Sequence, residues 1–286
     1  MCATCGCSSG GTIRLMVTEH DRDHRLGHGR GHDHGHADHE HADHEHSDHG
    51  PHQHPPAEVH TLAAPDGPRT IELQQKVLAK NDEIAQRNRD WLEERGILAV
   101  NLMSSPGAGK TTLLEATMRG LAGKVAISVV EGDQETALDA TRILAAGSSV
   151  VQINTGVGCH LDADMLARAL RCLDPQSGSI VMIENVGNLV CPALFDLGEQ
   201  ARVVLASVTE GADKPLKYPH MFRQADLVLL NKTDLLPYVD FDVREYASGL
   251  RKVSPDALLL QMSATTGDGM DTWYDWLRRR TPVPSE

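Results

Sequence analysis

The residues with the clearest chemical meaning form a glycine-rich segment that ends in one lysine and two threonines, Ser104-Ser105-Pro106-Gly107-Ala108-Gly109-Lys110-Thr111-Thr112. An apolar run, 97–103, precedes it and is predicted to be a buried strand, and a helical pattern follows it. A strand, a glycine-rich turn and a helix in this order are typical of a P-loop, although the usual pattern opens with glycine and this one opens with Ser104. The segment therefore predicts a site for nucleotide phosphates.

Each part of this loop has a chemical role to fill. Backbone N–H groups freed by Gly107 and Gly109 turn toward the α- and β-phosphates, Lys110 reaches the β- and γ-phosphates, and the Thr111 hydroxyl is a ligand for Mg²⁺. The predicted phosphate-binding residues are Gly107, Ala108, Gly109, Lys110, Thr111 and Thr112.

A second polar segment, Asn231-Lys232-Thr233-Asp234, follows another apolar strand pattern and predicts which base is bound. The Asp234 carboxylate can accept hydrogen bonds from N1–H and the 2-amino group of guanine, a pair of donors that adenine lacks. Lys232 would lie along the base plane, and Asn231 would hold the loop to neighbouring backbone. Ser263 and Ala264 begin a further loop, after strand 257–262, that can offer a backbone N–H to the guanine carbonyl. GTP and GDP are the expected ligands.

Two acidic segments at strand ends are candidates for catalysis. Glu184-Asn185-Val186-Gly187 has the acidic-x-x-Gly spacing of a γ-phosphate sensor, with the Gly187 N–H as the contact. Glu131-Gly132-Asp133 places a carboxylate near Mg²⁺ or the attacking water, although Asp133 could instead cap a helix. The predicted catalytic residues are Lys110, Asp133 and Glu184.

Cysteine and histidine residues near the N-terminus predict metal binding. Cys2, Cys5 and Cys7, together with the terminal amine and backbone nitrogens, suit Ni²⁺ in a square-planar set or Zn²⁺ in a tetrahedral one. Many imidazoles follow between His20 and His60, and such a tract binds several divalent metals without selecting one. The alternative is that this tract is only a solvated polar linker.

A further group of metal-ligand residues lies within the nucleotide-binding part of the chain. Cys159 and His160 follow one strand pattern and Cys191 follows another, so the three side chains could meet at one edge of the sheet and bind Zn²⁺ or Ni²⁺. Each of these residues alone is more often structural, and the residues themselves leave both interpretations open. Cys172 is predicted to be a buried core thiol on the apolar face of a helix.

Composition divides the chain into two parts. Residues 1–66 have little apolar surface to bury and are predicted to be a disordered metal-binding tail, whereas residues 67–286 alternate strand and helix patterns as one α/β domain. The predicted strands are 97–104, 124–131, 149–154, 179–184, 203–208, 226–231 and 257–262. A long amphipathic helix is predicted over 71–95, with its core contacts at Ile71, Val77, Leu78, Ile84 and Trp91.

Charge and hydropathy exclude some functions. The net charge of −13 argues against nonspecific nucleic-acid binding, and no apolar stretch is long enough to cross a bilayer. The first residues lack the pattern of a secretory signal, so we expect a cytoplasmic protein whose cysteines are reduced.

Taken together, these motifs resemble those of the hydrogenase nickel-incorporation GTPases, the HypB family. The resemblance extends from the N-terminal cysteines and histidine tract to the Asn231-Lys232-Thr233-Asp234 loop, and includes the segments 158–162, 184–189 and 210–215. It implies a P-loop NTPase with a mainly parallel sheet flanked by helices, of the class shared with signal-recognition GTPases (SIMIBI).

The resemblance also implies a function. It implies that the protein, like members of the HypB family, is a GTP-dependent homodimer that hydrolyses GTP slowly. It also implies that the protein acts beside a small zinc-containing partner, HypA, to place Ni²⁺ in the large subunit of [NiFe]-hydrogenase. It implies that Cys159, His160 and Cys191 form a metal site near the dimer interface. Because this chain carries both the cysteine motif and the histidine tract, storage and delivery of nickel could coexist.

Three other functions compete with this one. A GTPase metallochaperone for urease would carry a Cys-Pro-x-His motif, but Cys191-Pro192-Ala193-Leu194 lacks its histidine. A nickel storage protein would have no need of intact phosphate and guanine loops. A kinase of a small metabolite would have no use for the Asn231-Lys232-Thr233-Asp234 loop.

Overall fold

The computed structural model describes residues 12–16, 68–133, 143, 148–155 and 160–282. Within them, one sheet contains the strands β1 Thr12–Met16, β2 Leu98–Ser104, β3 Ile127–Asp133, β4 Ser149–Asn154, β5 Ile180–Glu184, β6 Ala201–Ser207, β7 Leu227–Asn231 and β8 Leu258–Gln261. The strand order is β1-β4-β3-β5-β2-β6-β7-β8, and all neighbours are parallel except β1 and β4. The predicted mainly parallel α/β sheet is confirmed.

Helices cover both faces of this sheet. Those in the described ranges are α1 Pro68–Glu94, α2 Lys110–Leu121, α3 Ala163–Leu173, α4 Lys214–Lys217, α5 Pro219–Arg223, α6 Val243–Val253 and α7 Met270–Arg280, with 3₁₀ helices at Cys191–Leu194 and Thr233–Tyr238. None of these helices is long and apolar enough to cross a membrane.

The alternation of side chains along β2 explains how the two faces are filled. Leu98, Val100 and Leu102 pack with residues of α2 and α7, including the fully buried Trp273. Ala99 belongs to the apolar cluster on the other face, together with residues of α1 and α3. Because a strand inside a parallel sheet is covered on both faces, it carries a nearly continuous apolar run, and that run is the signal that made the strands predictable.

The core contacts of α1 agree only in part with the prediction. Among its described side chains, the buried ones are Asn81, Ala85, Asn88 and Leu92. Trp91 packs against the apolar cluster as predicted, whereas Val77 is 46 % exposed, and the side chain of Ile71 lies outside the described residues. The buried asparagines bind backbone groups: Asn88 Nδ2 donates to the carbonyls of Ala163 and Leu197. The helix therefore packs through two amides as well as through apolar side chains.

Strand β1 corrects the prediction that residues 1–66 form one disordered tail. Thr12–Met16 pairs antiparallel with β4, with Ile13 opposite Ile153. Ile13 also packs against the apolar cluster of α1 and α3. The prediction overlooked that a short apolar segment gains backbone hydrogen bonds at an open sheet edge. The rest of residues 1–66 lies outside the described residues, so its predicted disorder stays a prediction.

Cys172 also differs from its prediction, because its side chain is exposed rather than in the core. Helix α3 instead buries Leu166, Ala169, Leu170 and Leu173, so position 172 lies outside the buried stripe.

Candidate nucleotide and metal site

The parallel strands of the sheet end at one edge, and the predicted site residues lie along it. Ser104 ends β2, Glu184 ends β5 and Asn231 ends β7. The loops that follow the carboxyl ends of such strands are where ligands bind in α/β sheets. A cavity of about 540 Å³ opens there, lined by Pro106, Gly107, Gly109, Lys110, Thr111, Thr112, Glu131, Gly132, Glu184, Asn185, Val186, Gly187 and Lys232.

The glycine-rich loop has the backbone conformation that its sequence predicts. Gly107 and Gly109 have φ angles of 74° and 102°, in the left-handed region that L side chains rarely adopt. At Gly109 a Cβ atom would also lie only 2.7 Å from Nδ2 of Asn231. Glycine is therefore required at 109 both by conformation and by space.

Ser104, the departure from the usual P-loop pattern, holds the loop lysine. Its fully buried hydroxyl accepts a hydrogen bond from Nζ of Lys110 at 2.8 Å and donates to the carbonyl of Ser105. This arrangement keeps the ammonium group of Lys110 beside the cavity, where phosphates would replace or join the serine as its partners.

Oxygen atoms that could coordinate a metal ion lie close together where the nucleotide's metal ion is expected. The Thr111 hydroxyl donates to Oε1 of the buried Glu184 at 3.1 Å, and Glu131 lines the same cavity. Adjacent strands also pair Glu131 with Glu184 in register. Hydroxyl and carboxylate oxygens are the ligands that Mg²⁺ prefers, so these residues fit that ion.

The guanine loop is fixed to the phosphate loop by Asn231. Its Nδ2 donates to the carbonyl of Ala108 at 2.9 Å, and its Oδ1 accepts from the N–H of Ala264 at 3.0 Å. Lys232, with φ of 62°, donates from Nζ to the carbonyl of Gly107. The predicted role of Asn231 as a tie between loops is confirmed.

The Asp234 carboxylate has an oxygen atom that could accept a hydrogen bond from a base. Its Oδ1 atom is buried and has no hydrogen-bond partner among the described residues. Because a buried carboxylate oxygen without a donor is costly, this atom is matched to a ligand that brings N–H groups. Ser263, fully buried beside Ala264, starts the second predicted base loop.

The loop after β5 lies directly against the phosphate loop. A Cβ atom at Gly187 would approach the Cα and N atoms of Pro106 to 3.2 Å, so any larger residue would have to push the two backbones slightly apart. A γ-phosphate at the P-loop would therefore be within reach of the 186–188 backbone, as the acidic-x-x-Gly spacing predicts.

His160 and Cys191 belong to neighbouring segments. The His160 ring is buried and stacks on Phe195 with a centroid distance of 3.9 Å. Phe195 directly follows the 3₁₀ helix that begins with Cys191, and Cys191 is a partly exposed free thiol. Burial lowers the pKa of His160, although the charge of Asp162 opposes this, and a neutral imidazole is the form that binds metals.

The remaining predicted ligands cannot be placed. Cys2, Cys5, Cys7 and Cys159 lie outside the described residues, as does the side chain of Asp133 at the end of β3. Among the residues that are described, no three His, Cys, Asp or Glu side chains come together as a metal-binding group. The site of Cys159, His160 and Cys191 stays a prediction.

Comparison with known proteins decides the family. Residues 98–261 match the family model described as CobW/HypB/UreG, nucleotide-binding domain. The hydrogenase maturation factor HypB of Escherichia coli K12 is 54 % identical over 209 residues, which cover 73 % of this chain and 72 % of that protein. HypB of Azotobacter vinelandii is 53 % identical over 212 residues, covering 74 % and 70 %. The chain belongs to the HypB family.

Solved HypB structures share the fold. The crystal structure of HypB from Archaeoglobus fulgidus aligns with a TM-score of 0.68 and 40 % identity, over 72 % of this chain and all of that one. HypB from Helicobacter pylori, solved in complex with nickel, aligns with a TM-score of 0.66 and 37 % identity, over 72 % of this chain and 99 % of that one. The predicted P-loop GTPase fold is confirmed.

One cluster in this HypB chain was not assigned a role by the motifs. The Ser105 hydroxyl donates to Oε2 of Glu210 at 3.1 Å and accepts from Nζ of Lys214 at 2.9 Å, and Lys214 also pairs with Glu210 at 3.3 Å. Segment 210–215 is part of the family resemblance, but its residue types alone did not indicate a role. Its contact with the P-loop spans 105 residues and leaves no local signal in the sequence.

Proposed function

We propose that this protein is a GTP-hydrolysing nickel metallochaperone that assists insertion of Ni²⁺ into the large subunit of [NiFe]-hydrogenase. It acts in the cytoplasm as a homodimer, beside a HypA-type accessory protein. The observation that carries the proposal is that one loop, 184–195, links the nucleotide cavity to the predicted metal ligands. It lines the cavity through Glu184 and Gly187, it contains Cys191, and its Phe195 stacks on His160.

The nucleotide half of this function follows from the cavity. Asp234 selects guanine, the backbone of 107–112 and Lys110 bind the phosphates, and the N–H of Gly187 senses the γ-phosphate. Mg²⁺, when bound by Thr111 with Glu184 and Glu131 nearby, supplies charge neutralisation for the phosphates. Asp133, at the end of β3, orients the attacking water, and the resemblance to the HypB family leads us to expect slow turnover.

Nickel is the cargo in this proposal. The neutral His160 imidazole and the Cys191 thiol, joined by Cys159, offer one nitrogen and two sulfur donors, a set that binds Ni²⁺ and also Zn²⁺. The relative solved with nickel supports nickel as a ligand of this family. Cys2, Cys5 and Cys7 form a second site, and the histidine tract stores nickel.

Two experiments test the proposal. Purified protein should hydrolyse GTP in a Mg²⁺-dependent reaction and leave ATP untouched. A strain that lacks the gene should lose hydrogenase activity and regain it with the wild-type gene or, in part, with added nickel. Equal use of ATP and GTP would overturn the guanine assignment. Normal hydrogenase activity in the deletion strain at low nickel would overturn the delivery role and leave storage.

A further inference from the structure

Asn185 lies between the residues that contact the nucleotide and those that hold the metal. It follows Glu184 at the end of β5 and is 1 % exposed. Its Oδ1 atom accepts two backbone hydrogen bonds, one from the N–H of Val186 at 2.9 Å and one from the N–H of Leu161 at 3.2 Å. One side-chain oxygen thus joins the γ-phosphate loop to the residue that follows His160.

Leu161 is held from a second side. Its side chain is fully buried, and a Cβ atom at Gly132 would approach its Cγ and Cδ2 atoms to 2.8 Å. Gly132 lies at the end of β3 and lines the nucleotide cavity. Leu161 therefore contacts two segments of the nucleotide site, and the ring of its neighbour His160 stacks on Phe195.

The orientation of the Asn185 amide is fixed by a buried chain of polar groups. Its Nδ2 donates to Oδ1 of Asn101, which is fully buried within β2, and Nδ2 of Asn101 donates to Oε1 of Glu199. Glu199 in turn accepts from Nε of Arg202 and from the N–H of Leu197. With the amide nitrogen engaged in this way, the carbonyl oxygen must face Val186 and Leu161.

We propose that Asn185 is the positioning residue that couples the nucleotide state to the metal ligand His160. A shift of Val186 and Gly187 toward a γ-phosphate moves the backbone that shares this acceptor oxygen with Leu161. The position of His160 relative to Cys191 then differs between the GDP and GTP states. The inference rests on the proposed function, because it names the route by which GTP changes the hold on nickel.

Reciprocal linkage allows the test to be made on the full chain, because nickel must change nucleotide affinity by the factor by which nucleotide changes nickel affinity. Fluorescent GDP and a fluorescent nonhydrolysable GTP analogue are titrated with and without saturating NiCl₂, at fixed Mg²⁺ and protein concentration. The dimer population is recorded in each state. The readout is the factor by which nickel changes the ratio of the two nucleotide dissociation constants.

Three variants separate positioning from stability. Asn185→Ala removes the shared acceptor, whereas Asn185→Asp retains an oxygen facing Val186 and Leu161 but loses the donor to Asn101. Thr117→Val is the control for loss of a buried hydrogen bond, since its hydroxyl accepts from Trp273 Nε1 in the core and does not line the cavity. We expect a factor in the range of about 5 to 150 for wild type and Thr117→Val, under about twofold for Asn185→Ala, and an intermediate factor for Asn185→Asp.

The outcomes discriminate between the claims. A wild-type factor in Asn185→Ala overturns the role of Asn185 and leaves the proposed function standing. A factor near one in the wild type overturns both the route and nucleotide-controlled delivery. If Asn185→Ala does not fold, Leu161→Pro removes the backbone N–H that donates to Asn185, and a factor unchanged from wild type there overturns the inference.

Discussion

The proposed function assigns the choice of base to Asp234. We expect Asp234→Asn to shift preference from guanine toward xanthine nucleotides, because the new amide offers a donor where guanine also presents one. The GTP affinity should fall by roughly 2–4 kcal/mol, the cost of an unpaired buried donor. The measurement is the competition of GTP and XTP for the protein, with Asp240→Asn, an exposed neighbour, as control. Equal GTP and XTP affinities in both proteins would remove the guanine assignment.

Gly109 has no side chain, and this allows the phosphate and guanine loops to approach each other. Gly109→Ala adds a Cβ that would lie 2.7 Å from Nδ2 of Asn231, at a φ of 102°. We expect it to weaken GTP binding by roughly tenfold or more, or about 1.4 kcal/mol, because the phosphate and guanine loops must separate. Gly123→Ala is the matched control, since Gly123 also has a positive φ but nothing within 4 Å of an added Cβ. It should show only the left-handed strain of about 1–2 kcal/mol in unfolding. Equal GTP affinities in the two variants would contradict this explanation.

The residues that line the nucleotide cavity were the most predictable part of the site. The phosphate and guanine loops combine glycines, one lysine and one carboxylate at fixed spacings, so a short stretch of sequence is enough to predict their chemistry. Ser104 shows the limit of prediction from a pattern. It departs from the usual P-loop pattern, yet its side chain binds Lys110 through a hydrogen bond. Asn185 and Leu161 are 24 positions apart, and nothing in either neighbourhood of the sequence indicates their contact.

Helix α1 illustrates what could not be predicted at the level of elements. Its extent was predicted to within a few residues, because its helical pattern is long and ends at Gly96. Its buried polar face was not, because the backbone partners of Asn81 and Asn88 lie 75 to 115 residues away. The strands were easier to predict, since each carries its own apolar run. Strand β1 was missed because five residues within a polar segment give a weak signal.

Asn88 offers a test of this packing. Asn88→Ala leaves the carbonyls of Ala163 and Leu197 without their amide donor in a buried place, so we expect unfolding to become easier by about 1–3 kcal/mol. Denaturant unfolding monitored by tryptophan fluorescence measures this. Arg87→Ala, at an exposed position one residue earlier on α1, is the control and should change stability little. An equally small effect at position 88 would show that these amide contacts contribute nothing.

At the scale of the whole molecule, a nucleotide domain carries an N-terminal segment rich in metal ligands. Deletion of residues 1–11 removes Cys2, Cys5 and Cys7 but spares β1, which starts at Thr12. We expect the deletion to abolish thiolate-to-nickel charge-transfer absorption of that site while GTP hydrolysis stays close to wild type. Loss of hydrolysis would contradict the separation of tail and GTPase. Replacement of the three cysteines by serine controls for the deletion itself.

In the proposed function, the nucleotide state sets how tightly the site of Cys159, His160 and Cys191 holds nickel. Equilibrium dialysis of Ni²⁺ against the full chain, loaded with GDP or with a nonhydrolysable GTP analogue, measures this affinity. The same titration of Cys191→Ala isolates the site, because binding to the N-terminal cysteines and the histidine tract cancels in the difference. The protein concentration is kept fixed, since dimerisation itself could complete the site.

We expect one nickel site per chain that is lost in Cys191→Ala and whose affinity differs between the two nucleotide states by about 5- to 150-fold, the usual range of coupling between sites. Equal nickel affinities in the GDP and GTP-analogue states, with equal dimer populations, would contradict it. The protein would then be a GTPase that carries nickel without controlling it.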